Sequence, residues 1–287
     1  GDRALIGAYL DDDGGSRSCS AYVFDFNGTI WTETAKLTAS DRIGSDEFGY
    51  SVSLSGDRAL IGAIGNDDLG GDSGSAYIFD FSGGSWSETI KLTASDGDTF
   101  DSFGFSVSLS GDRALIGAYR DDDGASDSGA AYLFELDSGL GTWGETAKLK
   151  ASDPAISDWF GSAVSLSGTR ALVGAYFDDD GGTNAGSAYV FELAGAAGTV
   201  NEVAKLTASD GAASDQFGFS VTLSGDRVLV GAWGDDDNGN NSGSAYVFDF
   251  HGSSWTQSAN LTPAAGAVVD RFGYSVSVSG TRALIGA

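Results

Sequence analysis

Runs of adjacent aspartates are the part of this sequence with the clearest potential for chemistry. The first run reads "YLDDDGG" at 9–15, and its counterparts are "GNDDLG" at 65–70, "RDDDGA" at 120–125, "FDDDGG" at 177–182 and "GDDDNG" at 234–239. Calcium takes about six to eight oxygen ligands in flexible geometry, and carboxylates are prominent among them. Alternate residues of an extended segment point the same way, so the first and third acids of a run would share an ion.

The sequence therefore predicts calcium ligands in all five loops. The expected ligands are Asp11, Asp13, Asp67, Asp68, Asp121, Asp123, Asp178, Asp180, Asp235 and Asp237. The second loop should bind more weakly, since Asn66 replaces its first aspartate and removes a charge. Two alternatives need no metal: the side chains cap loop N–H groups in Asx-turns, or they are solvated and keep sheet edges from aggregating.

These loops belong to an internal repeat that covers the chain. A glycine that opens the segment "GDRALIGA" or a close variant recurs at Gly1, Gly56, Gly111, Gly168, Gly225 and Gly280, with spacings of 55, 55, 57, 57 and 55 residues. A fixed period of this kind is typical of one supersecondary unit used repeatedly. Residues 1–287 therefore form a single repeat region with five repeats and the start of a sixth.

Each repeat contains four strand-like segments and no sustained helical periodicity. In one unit they are "FGYSVSLS" (48–55), "RALIGA" (58–63), "SAYIFDF" (75–81) and "WSETIKLTAS" (86–95). The first two are uncharged on both faces apart from the leading arginine, which is typical of sheets packed face to face around an axis. The expected fold is an all-β propeller of four-stranded antiparallel blades.

The ends of the chain predict a longer array. Residues 272–279 could complete the sheet begun by residues 1–39, but residues 280–287 would then duplicate the place of residues 1–8. We therefore expect at least six blade positions.

The motifs in these segments resemble a known family. "DEFGYSVSLSGDRALIGA" (46–63) followed by "GSAYIF" (74–79) is similar to the FG-GAP repeat, which builds the propeller of integrin alpha subunits and of many bacterial and algal surface proteins. Integrin-type repeats carry a calcium loop between the Phe-Gly and Gly-Ala strands, whereas "SLSGDRAL" is a tight hairpin here. The integrin calcium ligands and partner specificity therefore do not transfer, and the chain resembles the shorter bacterial or algal variant.

The strand order places the aspartate runs and the connections between repeats on one face. Those connections are acidic too, at Asp41, Asp46, Asp96, Asp101, Asp153, Asp158, Asp210, Asp215 and Asp270. So much adjacent negative charge needs a compensating cation.

Other recurring charged and aromatic residues have structural and functional interpretations. Arg58 and its counterparts should pair with Asp80 and its counterparts across neighbouring strands; the alternative is an arginine ring that binds an anion. Trp31, Trp86, Trp143 and Trp255 are expected to pack between blades; as sugar platforms they would make the chain a lectin with one site per blade.

Composition bounds the function. A net charge of −26 and a pI near 4.1 exclude nucleic acid as a default partner, and no apolar run is long enough for membrane insertion. No catalytic set converges, so we expect no enzyme. Sequons at Asn27, Asn240 and Asn260 are expected glycosylation sites.

The expected protein is a calcium-binding propeller, extracellular or at the cell surface. It would serve adhesion, protein interaction or surface assembly with a protein or glycan partner, with a carbohydrate-binding propeller as the alternative.

Overall fold

The computed structural model describes residues 1–12, 19–193, 199–264 and 267–287, and its regular structure there is all β. Its strands are β1 (Arg3–Ala8), β2 (Ser20–Phe26), β3 (Trp31–Leu37), β4 (Phe48–Ser55), β5 (Arg58–Ala63), β6 (Ser75–Ser82), β7 (Ser85–Leu92), β8 (Ser106–Ser110), β9 (Arg113–Ala118), β10 (Ala130–Asp137), β11 (Thr142–Leu149), β12 (Ala163–Ser167), β13 (Arg170–Ala175), β14 (Ser187–Leu193), β15 (Val200–Leu206), β16 (Phe217–Ser224), β17 (Arg227–Ala232), β18 (Ser244–Phe250), β19 (Trp255–Leu261), β20 (Ser275–Ser279) and β21 (Arg282–Gly286).

The strands form successive antiparallel sheets in chain order. The first sheet is β1-β2-β3, four complete sheets follow as β4–β7, β8–β11, β12–β15 and β16–β19, and β20 pairs with β21. The predicted four-stranded blades are therefore confirmed. The longer array remains a prediction.

Consecutive sheets pack through their first strands, which we call inner strands. The phenylalanines of their Phe-Gly motifs, Phe48, Phe103, Phe160 and Phe217, are fully buried in clusters shared with the preceding sheet. Each also meets, edge to face, a tyrosine ring on the third strand of its own sheet. Edge-to-face aromatic pairs contribute about 0.5–1.5 kcal/mol beyond the area they bury.

The glycines of the two motifs let neighbouring sheets approach closely. Gly104 has φ +94°, and a Cβ there would lie 2.4 Å from the carbonyl oxygen of Ser75 in the preceding sheet. A Cβ on Gly62 would lie 2.0 Å from the carbonyl oxygen of Gly104. Any side chain at either position would push two sheets apart, which is the physical reason that both motifs recur in phase.

The two ends of the sheets differ in charge. We call the end that holds the aspartate loops and the connections between sheets the acidic face, and the other end, with the tight turns between inner and second strands, the hairpin face.

On the hairpin face the predicted arginine pairs are present. Arg58 Nε donates to Asp80 Oδ1 over 2.7 Å, and its Nη1 donates to Asp112 Oδ1 of the next sheet over 2.9 Å. These arginines therefore join strands within a sheet and also join one sheet to the next.

Candidate functional site

The three residues of an aspartate run on the acidic face make different contacts. In the third sheet Asp121 is buried: its Oδ1 accepts the backbone N–H of Asp123 over 3.1 Å, and its Oδ2 lies 2.6 Å from the hydroxyl of Tyr132. The exposed middle residue, Asp122, closes the loop by accepting the N–H of Asp127 over 2.6 Å. The third residue, Asp123, contacts Lys148.

Lys148 of β11 supplies the cation that the crowded carboxylates require. Its Nζ lies 2.8 Å from Asp96 Oδ2 and 2.8 Å from Asp121 Oδ2, in addition to its contact with Asp123. Burial alone would lower the pKa of Lys148, but the hydrogen bonds to Asp121, Asp123 and Asp96 raise it above its ordinary range. The aspartate loop, the connection that enters the sheet and the outer strand thus meet at one ammonium group.

The fourth sheet repeats this arrangement closely. Lys205 Nζ lies 2.8 Å from Asp153, 2.9 Å from Asp178 and 2.6 Å from Asp180. Tyr189 places its hydroxyl 2.7 Å from Asp178 Oδ2.

The first and second sheets hold partial versions. Lys36 Nζ lies 3.0 Å from Asp11 Oδ2, while Asp13 lies outside the described residues. Lys91 contacts Asp41 over 2.8 Å and also Asp68. Asn66 Oδ1 accepts the N–H of Asp68 over 3.3 Å, and the neighbouring Asp67 accepts the N–H of Asp72 over 2.8 Å.

The fifth sheet differs because Asn260 stands where the others have lysine. Asp235 is buried and its Oδ2 lies 2.6 Å from the Tyr246 hydroxyl, as the equivalent groups do in the third and fourth sheets. Asn260 Nδ2 donates to Asp210 Oδ2 over 3.0 Å. The charge of Asp235 is the main cause that raises the pKa of Asp237, followed by burial, Asp210 and Asp236.

Buried aspartates form a second layer beneath these clusters. Asp101, Asp158 and Asp215 are only 3–5% exposed, and each accepts the backbone N–H of the residue three positions earlier over 2.6–2.7 Å. Burial, as the main cause, raises the pKa of each to about 6.

These geometries bear on how well calcium would fit. In the third and fourth sheets an ammonium nitrogen already contacts the first and third carboxylates of the run, so an ion would have to displace it. In the fifth sheet the same positions present only oxygens and the Asn260 amide. Among the described residues, no group of three or more histidine, cysteine, aspartate or glutamate side chains has the spacing of a metal site. Calcium binding stays a prediction. Because the fifth sheet has no lysine at this position, we expect calcium there rather than in the third and fourth sheets.

The lysines of the outer strands and the tyrosines of the third strands were not predicted as part of the site. Lys36, Lys91, Lys148 and Lys205 recur in phase within "AKL" or "IKL", and Tyr22, Tyr77, Tyr132, Tyr189 and Tyr246 recur within "AY". Both periodicities are visible in the sequence, and the register between third and outer strands would have brought each Tyr–Lys pair side by side.

A continuous band of aromatic rings lies at the inner end of the acidic face. Its members sit beside the Phe-Gly motif or directly after the second strand; they are Tyr9, Tyr50, Phe105, Tyr119, Trp159, Tyr176, Phe177, Phe219, Trp233 and Tyr274. We call them the aromatic band. Successive ring centroids are 4.3–5.5 Å apart along Tyr9–Tyr50–Phe105–Tyr119–Trp159–Tyr176–Phe219–Tyr274.

The band draws together rings from all the sheets. Burial raises the pKa of Tyr50 to about 12, with smaller contributions from Tyr119, Tyr9, Glu47 and Tyr274. Ser162 stands where the other inner strands have an aromatic ring, and Trp159 reaches the band from three residues earlier. Two guanidinium groups already lie on its rings: Arg120 is 5.1 Å from the Tyr119 centroid and Arg271 is 4.8 Å from that of Trp233.

The predicted tryptophan and glycosylation positions lie elsewhere. Trp143 is buried beneath the Arg58 guanidinium of the preceding sheet, and Trp86 and Trp255 contact Arg3 and Arg170 in the same way. This packing favours a role between blades, although Trp31 is 50% exposed.

Of the sequon asparagines, Asn27 and Asn240 are exposed in loops, and Asn260 lies on β19 with its amide bonded to Asp210. Their glycosylation stays a prediction.

Comparison with known families decides the classification. The FG-GAP repeat model matches residues 1–24, 31–79, 86–134, 143–191, 200–248 and 255–287. The chain belongs to the FG-GAP repeat family. Its sheets are therefore the blades of an FG-GAP β-propeller, and the close approach of Gly62 to Gly104 is the contact between its two signature motifs.

A comparison with curated proteins finds no match. Among the described residues of this FG-GAP propeller, no helix has the length and apolar character needed to cross a membrane.

Proposed function

We propose that this FG-GAP propeller is a protein-interaction module that acts outside the cell or at its surface and binds a partner through its acidic face. The observation that carries the proposal is the aromatic band, a contiguous set of tyrosine, tryptophan and phenylalanine rings at the centre of that face. Tyrosine and tryptophan are enriched at the energetic centres of protein interfaces. FG-GAP propellers are generally not enzymes, and the proposal assigns no catalytic residue.

The loops around the band add apolar contact area. Ile43, Phe100 and Ile156 are 55–73% exposed on three successive connections between blades. Tyr9 and Tyr274 at the ends of the band are 39% and 49% exposed. Exposed apolar side chains on one face of a repeat protein are typical of a binding surface.

Charge favours a basic partner. The chain carries a net charge of −26, and the acidic loops surround the band. A positively charged partner would be attracted over a distance set by ionic strength, and its arginine or lysine side chains would meet aromatic rings that already hold Arg120 and Arg271. Adhesion or assembly at a surface is the role that this combination supports.

Selection of peptides from a random displayed library on the immobilised chain tests the proposal. We expect basic peptides that contain apolar residues, with association that slows as salt increases. Tyr50→Ser with Tyr274→Ser, which copies the natural Ser162, should abolish their binding, whereas the control Trp31→Ser should not. Selected peptides that bind the double variant as well as they bind the original chain would refute the role of the band.

A further inference from the structure

The fourth blade contains a cavity that the second and third blades do not leave open. It has a volume of about 250 Å³ and lies between the aspartate loop and the connection that leaves the blade. Gly181 and Ala185 line it from the loop, Ala208 and Gly211 from the connection, and Asp180 and Lys205 stand at its edge. A volume below the range of about 300–1,000 Å³ typical of small-molecule sites suits a single side chain.

The second and third blades fill the equivalent space with their own residues. In the second blade Leu69 occupies it from the loop, and a Cβ on Gly97 would lie 2.9 Å from Leu69 Cδ1. In the third blade Pro154 occupies it from the connection, and a Cβ on Gly124 would lie 3.0 Å from Pro154 Cβ. Either the loop or the connection thus supplies one aliphatic group.

In the fourth blade both positions are glycine. A Cβ on Gly181 would have only Ala185 within 4 Å, and the three atoms nearest to a Cβ on Gly211 all belong to Ala208, at 3.3 Å or more. The space that Leu69 or Pro154 fills elsewhere is therefore left open on the acidic face, with apolar walls of alanine and glycine.

We propose that this cavity is an anchoring pocket for one aliphatic side chain of the partner, of the size of leucine. The proposal rests on the proposed function, because it places a second contact on the same face as the aromatic band. Lys205 is held by Asp153, Asp178 and Asp180, while the Asp180 side chain is 65% exposed at the edge. A basic residue next to the aliphatic one would meet that exposed acid, so the expected motif is an aliphatic residue beside lysine or arginine.

Titration with leucinamide, a cationic leucine analogue, tests the pocket without a known partner. We expect saturable shifts of the backbone amide resonances of Gly181, Ala185 and Gly211 at millimolar concentration. Glycinamide should bind at least about tenfold more weakly, because it lacks the apolar group that the cavity would bury.

Two substitutions at one position test whether the cavity itself binds. Gly181→Leu places in the fourth blade the residue that the second blade has and should abolish the leucinamide shifts. Gly181→Ala should weaken them and keeps the test available if the larger side chain disturbs the fold. The matched control is Asn238→Leu, which introduces leucine at the equivalent loop position one blade further on and should leave binding unchanged.

The aromatic band variant separates this proposal from the proposed function. Tyr50→Ser with Tyr274→Ser should bind leucinamide normally, since neither ring lines the cavity. Absence of saturable shifts at the pocket amides, or equal shifts in Gly181→Leu, would overturn the anchoring pocket while leaving peptide binding by the band untouched.

Discussion

The third and fifth blades carry nearly the same aspartate loop but balance its charge differently. In the third blade Lys148 contacts Asp96, Asp121 and Asp123. The ammonium group of the outer strand therefore lies among the carboxylates of the loop. In the fifth blade Asn260 contributes a neutral amide, and the pKa of Asp237 rises because Asp235 repels a second charge. The same loop is thus a closed ion cluster in one blade and an open group of oxygens in another.

Comparison of the two blades separates two roles of the aspartates. In both blades the buried first residue, Asp121 or Asp235, holds the loop by accepting the N–H of the third residue and the hydroxyl of a third-strand tyrosine. The charge balance around the third residue differs between the two blades. Loop shape and cation binding are therefore separable properties of the run, and substitutions can alter one without the other.

The largest expected effect comes from removing the lysine where it is present. Lys148→Met would leave the buried Asp121 and the partly exposed Asp96 and Asp123 without a counter-charge. Breaking a buried pair by removing one partner destabilises by about 3–5 kcal/mol, and the partial exposure of this cluster puts the expected loss at ~3 kcal/mol. Urea unfolding at neutral pH measures it.

Two controls bound that result. The neighbouring exposed Lys150→Met removes the same charge outside the cluster and should change the free energy of unfolding by less than about 0.5 kcal/mol. Asn260→Met, the counterpart in the fifth blade, should also be mild because no charge is stranded. Equal effects of Lys148→Met and Lys150→Met would mean that the ion cluster does not stabilise the blade.

The arginines of the hairpin face give a second, smaller contrast. Arg58 bonds Asp80 in its own blade and Asp112 in the next. Arg113 reaches the carbonyl of Gly168 in the next blade, where Thr169 stands in the place of Asp112. Arg58→Ala should cost about 1–3 kcal/mol, because Asp80 loses its partner while partly covered. Arg113→Ala should cost less. Comparable melting temperatures for Arg58→Ala and the unsubstituted chain would mean that these pairs do not stabilise the fold.

The fold of this molecule could be predicted well from the sequence, whereas its candidate site could be predicted only in part. The repeat, the strand order and the pairing of Arg58 with Asp80 follow from period and register, which are local properties of the chain. The role of Lys148 does not, because Asp96, Asp121 and Lys148 come from three separated segments whose meeting depends on the twist and spacing of whole blades. The aromatic band was not predicted for the same reason: Tyr50 and Phe105, whose ring centroids are 5.1 Å apart, come from successive blades.

Acidity is expected to stabilise the chain between neutral pH and about pH 5. Burial raises the pKa of Asp101 and Asp215 to about 6, above the value near 3.9 of an unfolded aspartate. The native state therefore binds extra protons between about pH 4 and 6, so the melting temperature should increase as the pH falls through 6 and then level off. Below about pH 4 the salt-bridged Asp96, whose pKa is lowered, would start to reverse the gain.

The two blades should contribute unequally to this pH dependence. Asp215 faces the carboxylates of Asp235, Asp236 and Asp237, whereas Asp101 faces Asp121 and Asp98 but also the cation of Lys148. Asp215→Asn should flatten the rise in melting temperature between pH 7.5 and 5 more than Asp101→Asn does. A profile that neither substitution changes would assign the rise to the overall net charge instead.

The smallest expected effect is that of calcium, and it should be confined to the blade without a lysine. Binding to the native state alone raises stability by mass action, so the melting temperature of the unsubstituted chain should be modestly higher in millimolar calcium than in chelator at constant ionic strength.

Asn260→Lys should raise the melting temperature in chelator, because the new ammonium would neutralise Asp210, Asp235 and Asp237, and should remove the response to calcium. Asp123→Asn should leave the response intact, since Lys148 already occupies that cluster. Magnesium should act weakly, because it demands octahedral geometry and releases water reluctantly. If melting is the same in calcium and chelator, with no heat on titration, or if Asn260→Lys keeps the response, the open oxygens of the fifth blade bind no ion and its loop is held by Tyr246 and backbone N–H groups alone.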